Sequence, residues 1–305
     1  CDYPANARKP EKLLECLQSA INYGKVPEHG VTDGIVIFNN RLLEIRRREG
    51  KILQLIRDSI HEGTLEVWYQ PIYQMKAGRF TAAEALVRLP DGTGGYISAG
   101  QMIEVAERNG LVCQIGEYVI HQACTFMKEK GEALGLGRVG INLSVQQLLV
   151  EDSAAHLLES IKKTGVHPGQ VVLEITETIL IQFMSKAEGI IRDLSENGIR
   201  ISLDDFGIGY SSLNYLMNLP VHSLKIDRSM TSKINGSPKQ YALLKAIIAM
   251  AKVNDIEVVV EGVENEEERR AIIDAEADYI QGFYYSKPLP QTELELFLTD
   301  FAVRD

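Results

Sequence analysis

From residue 63 to residue 301, short β-rich runs alternate with amphipathic helical segments, and this alternation constrains the fold more than any other feature. The runs are LEVWYQPIY (65–73), RFTAAEALVRL (79–89), VGINLS (139–144), VVLEIT (171–176), RISLDD (200–205), SLKID (223–227), IEVVVEGV (256–263) and YIQGFYYS (279–286). Between most of them lie segments such as AAHLLESIKKTG, SKAEGIIRDLSENG and YALLKAIIAMAKVN, several closing on Gly or Asn, the usual helix stops. Strands that alternate with helices predict an α/β protein with a mostly parallel sheet covered by helices. Eight strands over this stretch suit a closed (β/α)8 barrel, which uses roughly 250 residues. An open doubly wound sheet is the alternative.

Residues 1–40 offer one helix (Glu11–Tyr23) and one short strand (Gly34–Phe38), broken by Pro and Gly and too short for a core of their own. Residues 41–62 carry apolar positions at helical spacing and are expected to form a connecting helix. Residues 63–305 contain no Pro-rich linker and are expected to form one barrel domain. The run Arg46–Arg48 could meet an anion, although a solvated helix face is the simpler expectation. Beginning at Cys1 rather than Met, the chain reads as a segment of a longer one.

The ends of the predicted strands hold the polar residues. Period-two alternation in VVLEIT separates Glu174 and Thr176 from Leu173 and Ile175, and in SLKID it separates Lys225 from Leu224 and Ile226. Glu84 and Arg88, Asn142, Asp204 and Asp205, Glu261 and Gln281 occupy comparable positions. In a barrel these side chains would meet at the carboxyl end, where active sites lie. Five carboxylates (Glu84, Glu174, Asp204, Asp205, Glu261) would then converge with only Lys225 and Arg88 as cations. Crowded carboxylates take up protons or bind cations. Hard oxygen donors with the Asn142 carbonyl suit Mg²⁺ or Mn²⁺, and two such ions stabilise in-line displacement at a phosphate ester. A single strand-end acid is often only a helix cap, but five together with an Asn are hard to dismiss in that way.

Other classes of function find less support. With 42 acidic and 32 basic residues the net charge is −10, which argues against a broad surface for a nucleic-acid polymer. No apolar run approaches the roughly 20 residues of a membrane span, and direct membrane insertion is not expected. The amino terminus lacks the layout of a signal peptide, and the four cysteines are too scattered for a disulfide framework, so a reducing cytoplasm is expected. FGIGYSS (206–212) lacks the third glycine of a dinucleotide fingerprint and is better read as a tight loop beside the acids. The histidines His61, His121, His156 and His167 lie away from the strand ends and read as structural, while His222 is ambiguous.

The motifs as a set resemble those of the EAL-domain phosphodiesterases, which cleave the bacterial messenger cyclic di-GMP. EALVR (84–88) resembles the family signature. QPI (70–72), INLS (141–144), LEITET (173–178), DDFGIGYSSL (204–213), LKID (224–227), EGVE (261–264) and QGFYYSKPL (281–289) follow in the family's order. The resemblance implies a modified TIM barrel with one antiparallel strand and a site for two Mg²⁺ or Mn²⁺ ions. Glu84, Asn142, Glu174 and Asp204 would hold the first ion; Asp204, Asp205 and Glu261 would hold the second. Lys225 would orient and help activate the attacking water, supported by Gln281. Arg88 and Gln70 would contact the substrate, and Glu177 would anchor the DDFG loop. Cyclic di-GMP would be hydrolysed to linear pGpG, and a homodimer through the barrel is implied. Ile208 departs from the small residue usual at that loop position, which predicts altered activity or dimerisation rather than loss. LLECLQSAINYGKVPEHGVTDGIVIFN resembles the end of a GGDEF domain. A receptor that binds the dinucleotide without cleaving it is the alternative, although such members usually lack a metal or lysine position and here all are present. A barrel without ligand, serving only for docking, would require the strand-end acids to be accidental.

Overall fold

The computed structural model describes residues 9–24, 40–207, 218–232 and 234–304. The strand expected at Gly34–Phe38, Cys1 and the loop position Ile208 lie outside the described residues. Contacts divide the chain into two compact units: Cys1–Thr64 with Leu89–Asn109, and Leu65–Arg88 with Gly110–Asp305. The stretch Leu89–Asn109 thus groups with the amino-terminal helices.

In the first unit the helix Pro10–Gly24 begins with Pro at its first position, where the missing N–H costs nothing. Its Cys16 and Ala20 pack with Leu42 of the helix Asn40–Glu62, and Leu13, Leu43 and Ile45 cover them. The helix Ala99–Arg108 is tied to Asn40–Glu62 by an ion pair of Arg108 with Glu49 at 2.7 Å and by a 2.8 Å hydrogen bond from Arg48 to Gln101.

The second unit is a barrel of eight strands: β1 (Glu66–Gln74), β2 (Arg79–Pro90), β3 (Arg138–Asn142), β4 (Val171–Thr176), β5 (Arg200–Phe206), β6 (Ser223–Ile226), β7 (Glu257–Val260) and β8 (Tyr279–Ile280). β1 pairs antiparallel with β2 and with β8, and every other neighbouring pair in the ring is parallel. The mostly parallel sheet expected from strand–helix alternation is found, with the one antiparallel strand that the family resemblance implied. The cause is local. Only Met75–Gly78 separate β1 from β2, and a parallel crossover needs a dozen residues or more. Gly78 has φ +66°, the left-handed conformation that closes this short turn without strain.

Alternation sorts the strand side chains. In β4, Val171, Leu173 and Ile175 are fully buried on the face that packs against the helices, while Val172 and Glu174 line the barrel interior. Two of the expected strands are shorter than their apolar runs. β7 stops at Val260 and β8 at Ile280, so Glu261 and Gln281 stand just past the strand ends. Cys124 is buried and Cys113 half-buried on the helix Val112–Phe126. Among the described residues no helix is long and apolar enough to cross a membrane.

Candidate functional site

Register brings the polar strand ends to one level. Glu84 on β2 lies opposite Gln70 on β1 and Gly140 on β3, and Asn142 lies opposite Glu174. Asp204 lies opposite Thr176 on β4. The backbone N–H of Glu261 donates to Ile226 O at 3.0 Å and that of Gln281 to Val260 O at 2.9 Å, which carries the ladder one residue beyond each strand.

Lys225 occupies the centre and is 2% exposed. Its Nζ lies 2.7 Å from Glu174 Oε2, 2.7 Å from Glu261 Oε1, 3.1 Å from Glu84 Oε2 and 3.5 Å from Asp204 Oδ1. Glu84 also accepts from Asn142 Nδ2 at 2.7 Å and Gln281 Nε2 at 2.6 Å. Gln281 Nε2 reaches Gln70 Oε1 at 3.1 Å, and Gln70 Nε2 in turn donates to Ser286 O at 3.1 Å. Among the described residues Gln281 Oε1 is the one buried side-chain oxygen left without a hydrogen-bond partner.

Asp205 joins the cluster through a backbone irregularity. The β5–β6 register shifts between Leu203 and Phe206, and Asp205 takes φ +57°. Successive strand residues ordinarily face opposite sides, and a bulge of this kind re-aims one of them. Asp204 Oδ1 accepts from Asp205 N at 2.9 Å. Glu177, buried at the start of the helix Glu177–Glu196, accepts from Gly207 N at 3.5 Å. Arg88 stands apart, two pleats beyond Glu84 on β2, with its guanidinium over the Trp68 ring.

The electrostatics follow from one ammonium among several acids. Burial alone would drive Lys225 toward its neutral form, but Glu174, Glu261, Glu84 and Asp204 raise its pKa well above the ordinary lysine value. Burial also favours the protonated form of Glu84, yet Lys225, Gln281 and Asn142 outweigh it and hold this carboxyl below its usual range. Glu174 and Glu261 do not escape. Burial, with repulsion from Glu84 and Asp204, lifts Glu174 well above the carboxylate range and Glu261 to about 7. Burial and then Asp204 raise Asp205. The cluster therefore carries more acid than one ammonium can neutralise.

Among the described residues no group of three His, Cys, Asp or Glu stands in metal-ligand geometry, because the carboxylates close on Lys225 instead. The donor set nevertheless fits a hard divalent cation. Carboxylate oxygens, the Asn142 amide and the unpartnered Gln281 oxygen are oxygen donors, and the surplus acid would be neutralised by such an ion.

The sequence motifs did not single out Gly140 or Ser286. A Cβ on Gly140 would lie 2.1 Å from Glu174 Oε1, so only glycine leaves room for that carboxylate. A glycine inside a strand run was the available signal. Ser286 orients Gln70 only through its backbone oxygen, which leaves no mark in the residue type.

The chain is similar to known proteins in sequence and in fold. The profile described as "EAL domain" matches residues 54–288. The chain is 32% identical to the cyclic di-GMP phosphodiesterase NbdA of Pseudomonas aeruginosa over 97% of this chain and 38% of that protein. It is 35% identical to the signaling protein YkoW of Bacillus subtilis over 81% of this chain and 31% of that protein. The chain thus spans about a third of the length of these relatives. Among solved structures, the PaMucR phosphodiesterase in complex with c-di-GMP superposes with a TM-score of 0.75 at 31% identity, covering 80% of this chain and 99% of that one. The EAL enzyme Bd1971 in its cAMP- and cyclic-di-GMP-bound form gives 0.76 at 30% identity, covering 96% and 77%.

Proposed function

The chain belongs to the EAL-domain family, and from that premise we propose that it hydrolyses cyclic di-GMP to linear pGpG with the help of two divalent ions. The observation that carries this reading is the set of four carboxylates, three buried and Glu261 half-buried, around Lys225 at the carboxyl end of a barrel. Glu84, Asn142, Glu174 and Asp204 would hold one Mg²⁺ or Mn²⁺, and Asp204, Asp205 and Glu261 a second. When bound, the ions supply positive charge that offsets the dianionic substrate and polarises its phosphate.

The chain's own residues do the rest. Lys225 uses its ammonium to orient the attacking water and favour the water's loss of a proton. Gln281, whose Oε1 is unpartnered, supports that water and the phosphate. Arg88 pairs a phosphate oxygen, for which a guanidinium is well shaped. Gln70 contacts the substrate, and Glu177 anchors the DDFG segment through Gly207. Water adds to phosphorus, one of the two phosphodiester bonds breaks, and the departing sugar oxygen takes up a proton.

The domain plan belongs to the same proposal. Residues 1–40 are the end of a preceding GGDEF-like domain, 41–62 a connecting helix and 63–305 the phosphodiesterase barrel, which pairs as a homodimer in the cytoplasm. One observation favours the alternative of a receptor that binds without cleaving: the Lys225 ammonium already sits 2.7 Å from Glu174 and from Glu261 without any ion.

Incubation with cyclic di-GMP and Mg²⁺, then Mn²⁺, followed by chromatography, separates the two. Formation of pGpG that stops with EDTA is the expected result. Binding without product in either metal would favour the receptor instead.

A further inference from the structure

Arg88 is held by a partner that the proposed reaction does not name. Its Cζ lies 5.5 Å from the centroid of the Trp68 ring, within cation–π range. Trp68 is itself oriented, since its Nε1 donates to Glu66 Oε2 at 2.8 Å. The β1–β2 register explains why these three meet. Gln70 lies opposite Glu84, Trp68 opposite Leu86 and Glu66 opposite Arg88, so all six share one face of the hairpin. This face climbs from the Gln70–Glu84 level at the carboxylate cluster outward to Arg88. Trp68 is also paired on its other side, opposite Pro290, which fixes its backbone from both edges. The Arg88 backbone continues the strand, and its NH1 donates to Val87 O at 2.9 Å. A guanidinium stacked on an indole has its face occupied and its N–H donors directed along its edge, the orientation in which it can grip a phosphate.

We propose that Trp68 is a positioning residue for Arg88: its indole face holds the guanidinium in the orientation that receives a phosphate of the dinucleotide. The proposal rests on the function given above. Because Trp68 acts on a substrate contact and not on the cleavage step, it governs affinity while leaving the rate of bond breaking nearly untouched. Glu66 takes part by holding the indole in place.

Trp68 is the single tryptophan of the chain, so its emission reports this position directly. The test combines kinetics with fluorescence in the full chain. Trp68→Leu should raise KM for cyclic di-GMP about fivefold with kcat within about twofold, the scale of one partly exposed cation–π contact. Trp68→Tyr, which keeps an aromatic face, should recover most of that loss. In an Arg88→Ala background, Trp68→Leu should add less than about twofold, because the contact is already gone. In the unmodified chain cyclic di-GMP with Ca²⁺ should change the Trp68 emission, and Arg88→Ala should abolish the change.

An unchanged KM in Trp68→Leu, a full fivefold effect persisting without Arg88, or an equal emission response in Arg88→Ala would each overturn the role. If Trp68→Leu does not fold, the fluorescence arm leaves Trp68 in place and decides alone. Binding without product moves the same comparison from KM to Kd. No binding by the unmodified chain overturns the functional reading itself, and the positioning role with it.

Discussion

Lys225 is the residue on which the electrostatics of the barrel turn, with four carboxylates inside 3.5 Å of its Nζ. One positive charge cannot balance them, and burial shifts the remaining cost onto Glu174 and Glu261, whose protonated forms are favoured. A carboxyl with a folded pKa above its unfolded value binds its proton more tightly in the fold. Its contribution to stability is present at low pH and is lost as pH rises through the folded value. For Glu261 the window runs from 4.5 to about 7. The metal-free chain should therefore melt at lower temperature as pH is raised from 5 to 8, a loss on the order of 2–4 kcal/mol. Mg²⁺ at pH 8 should restore it, and Lys225→Met should steepen the slope. Differential scanning calorimetry in EDTA checks this, and a flat profile would count against the cluster as described. At this scale the acids were legible in the sequence, because alternation along each strand marks which side chains share a face. That Lys225 shares their mouth was legible too; which carboxylate oxygens its ammonium reaches was not.

Three elements shape the site in ways that composition alone does not reveal. The β1–β2 hairpin turns one strand antiparallel because its four-residue link cannot cross over. That link was visible in the sequence as the short gap between YQPIY and RFTAA, a signal masked by the strand–helix alternation elsewhere. The irregularity in β5 brings Asp205 to the side of Asp204, and an aspartate at φ +57° is among the residues that tolerate this conformation best. β3 contributes by omission, since Gly140 makes room for Glu174. Gly140→Ala should push the carboxylate aside rather than unfold the strand, because the atom in the way is the mobile end of a side chain. The expected cost in stability is about 1–2 kcal/mol, while kcat/KM should fall at least tenfold, since a displacement near 1 Å can cost about a hundredfold. Thermal melts and steady-state kinetics on the same preparation test both halves, and unaltered kinetics would remove Glu174 from the reaction.

Across the whole barrel, the two ends carry different polar clusters. Opposite the carboxylate cluster, Glu257 Oε2 accepts from Arg138 NH1 at 2.5 Å and Arg200 NH2 at 2.6 Å, while Tyr279 OH donates to Glu257 Oε1 at 3.3 Å. Close by, His222 Nδ1 accepts from Ile201 N at 3.1 Å, a bond that supports the fold rather than the site. In barrels the amino-terminal end of the strands serves stability. Glu257→Ala should thus lower stability by about 1–3 kcal/mol, a buried-pair value reduced for partial exposure, with KM and kcat within about twofold of the unmodified chain. A kinetic defect as large as that of a site residue would contradict this stabilising role. What the sequence by itself determined is local and chemical: which segments become strands or helices, which side chains alternate onto the inner face, and which acids gather at the strand ends. The tertiary structure alone decided which of them touch. Lys225 meets Glu84 across 141 residues and Gln281 meets Gln70 across 211, and Arg88 settles on Trp68 through the register of a hairpin. Such contacts follow from the closure of the sheet and the register between strands, which no short stretch of residues encodes by itself.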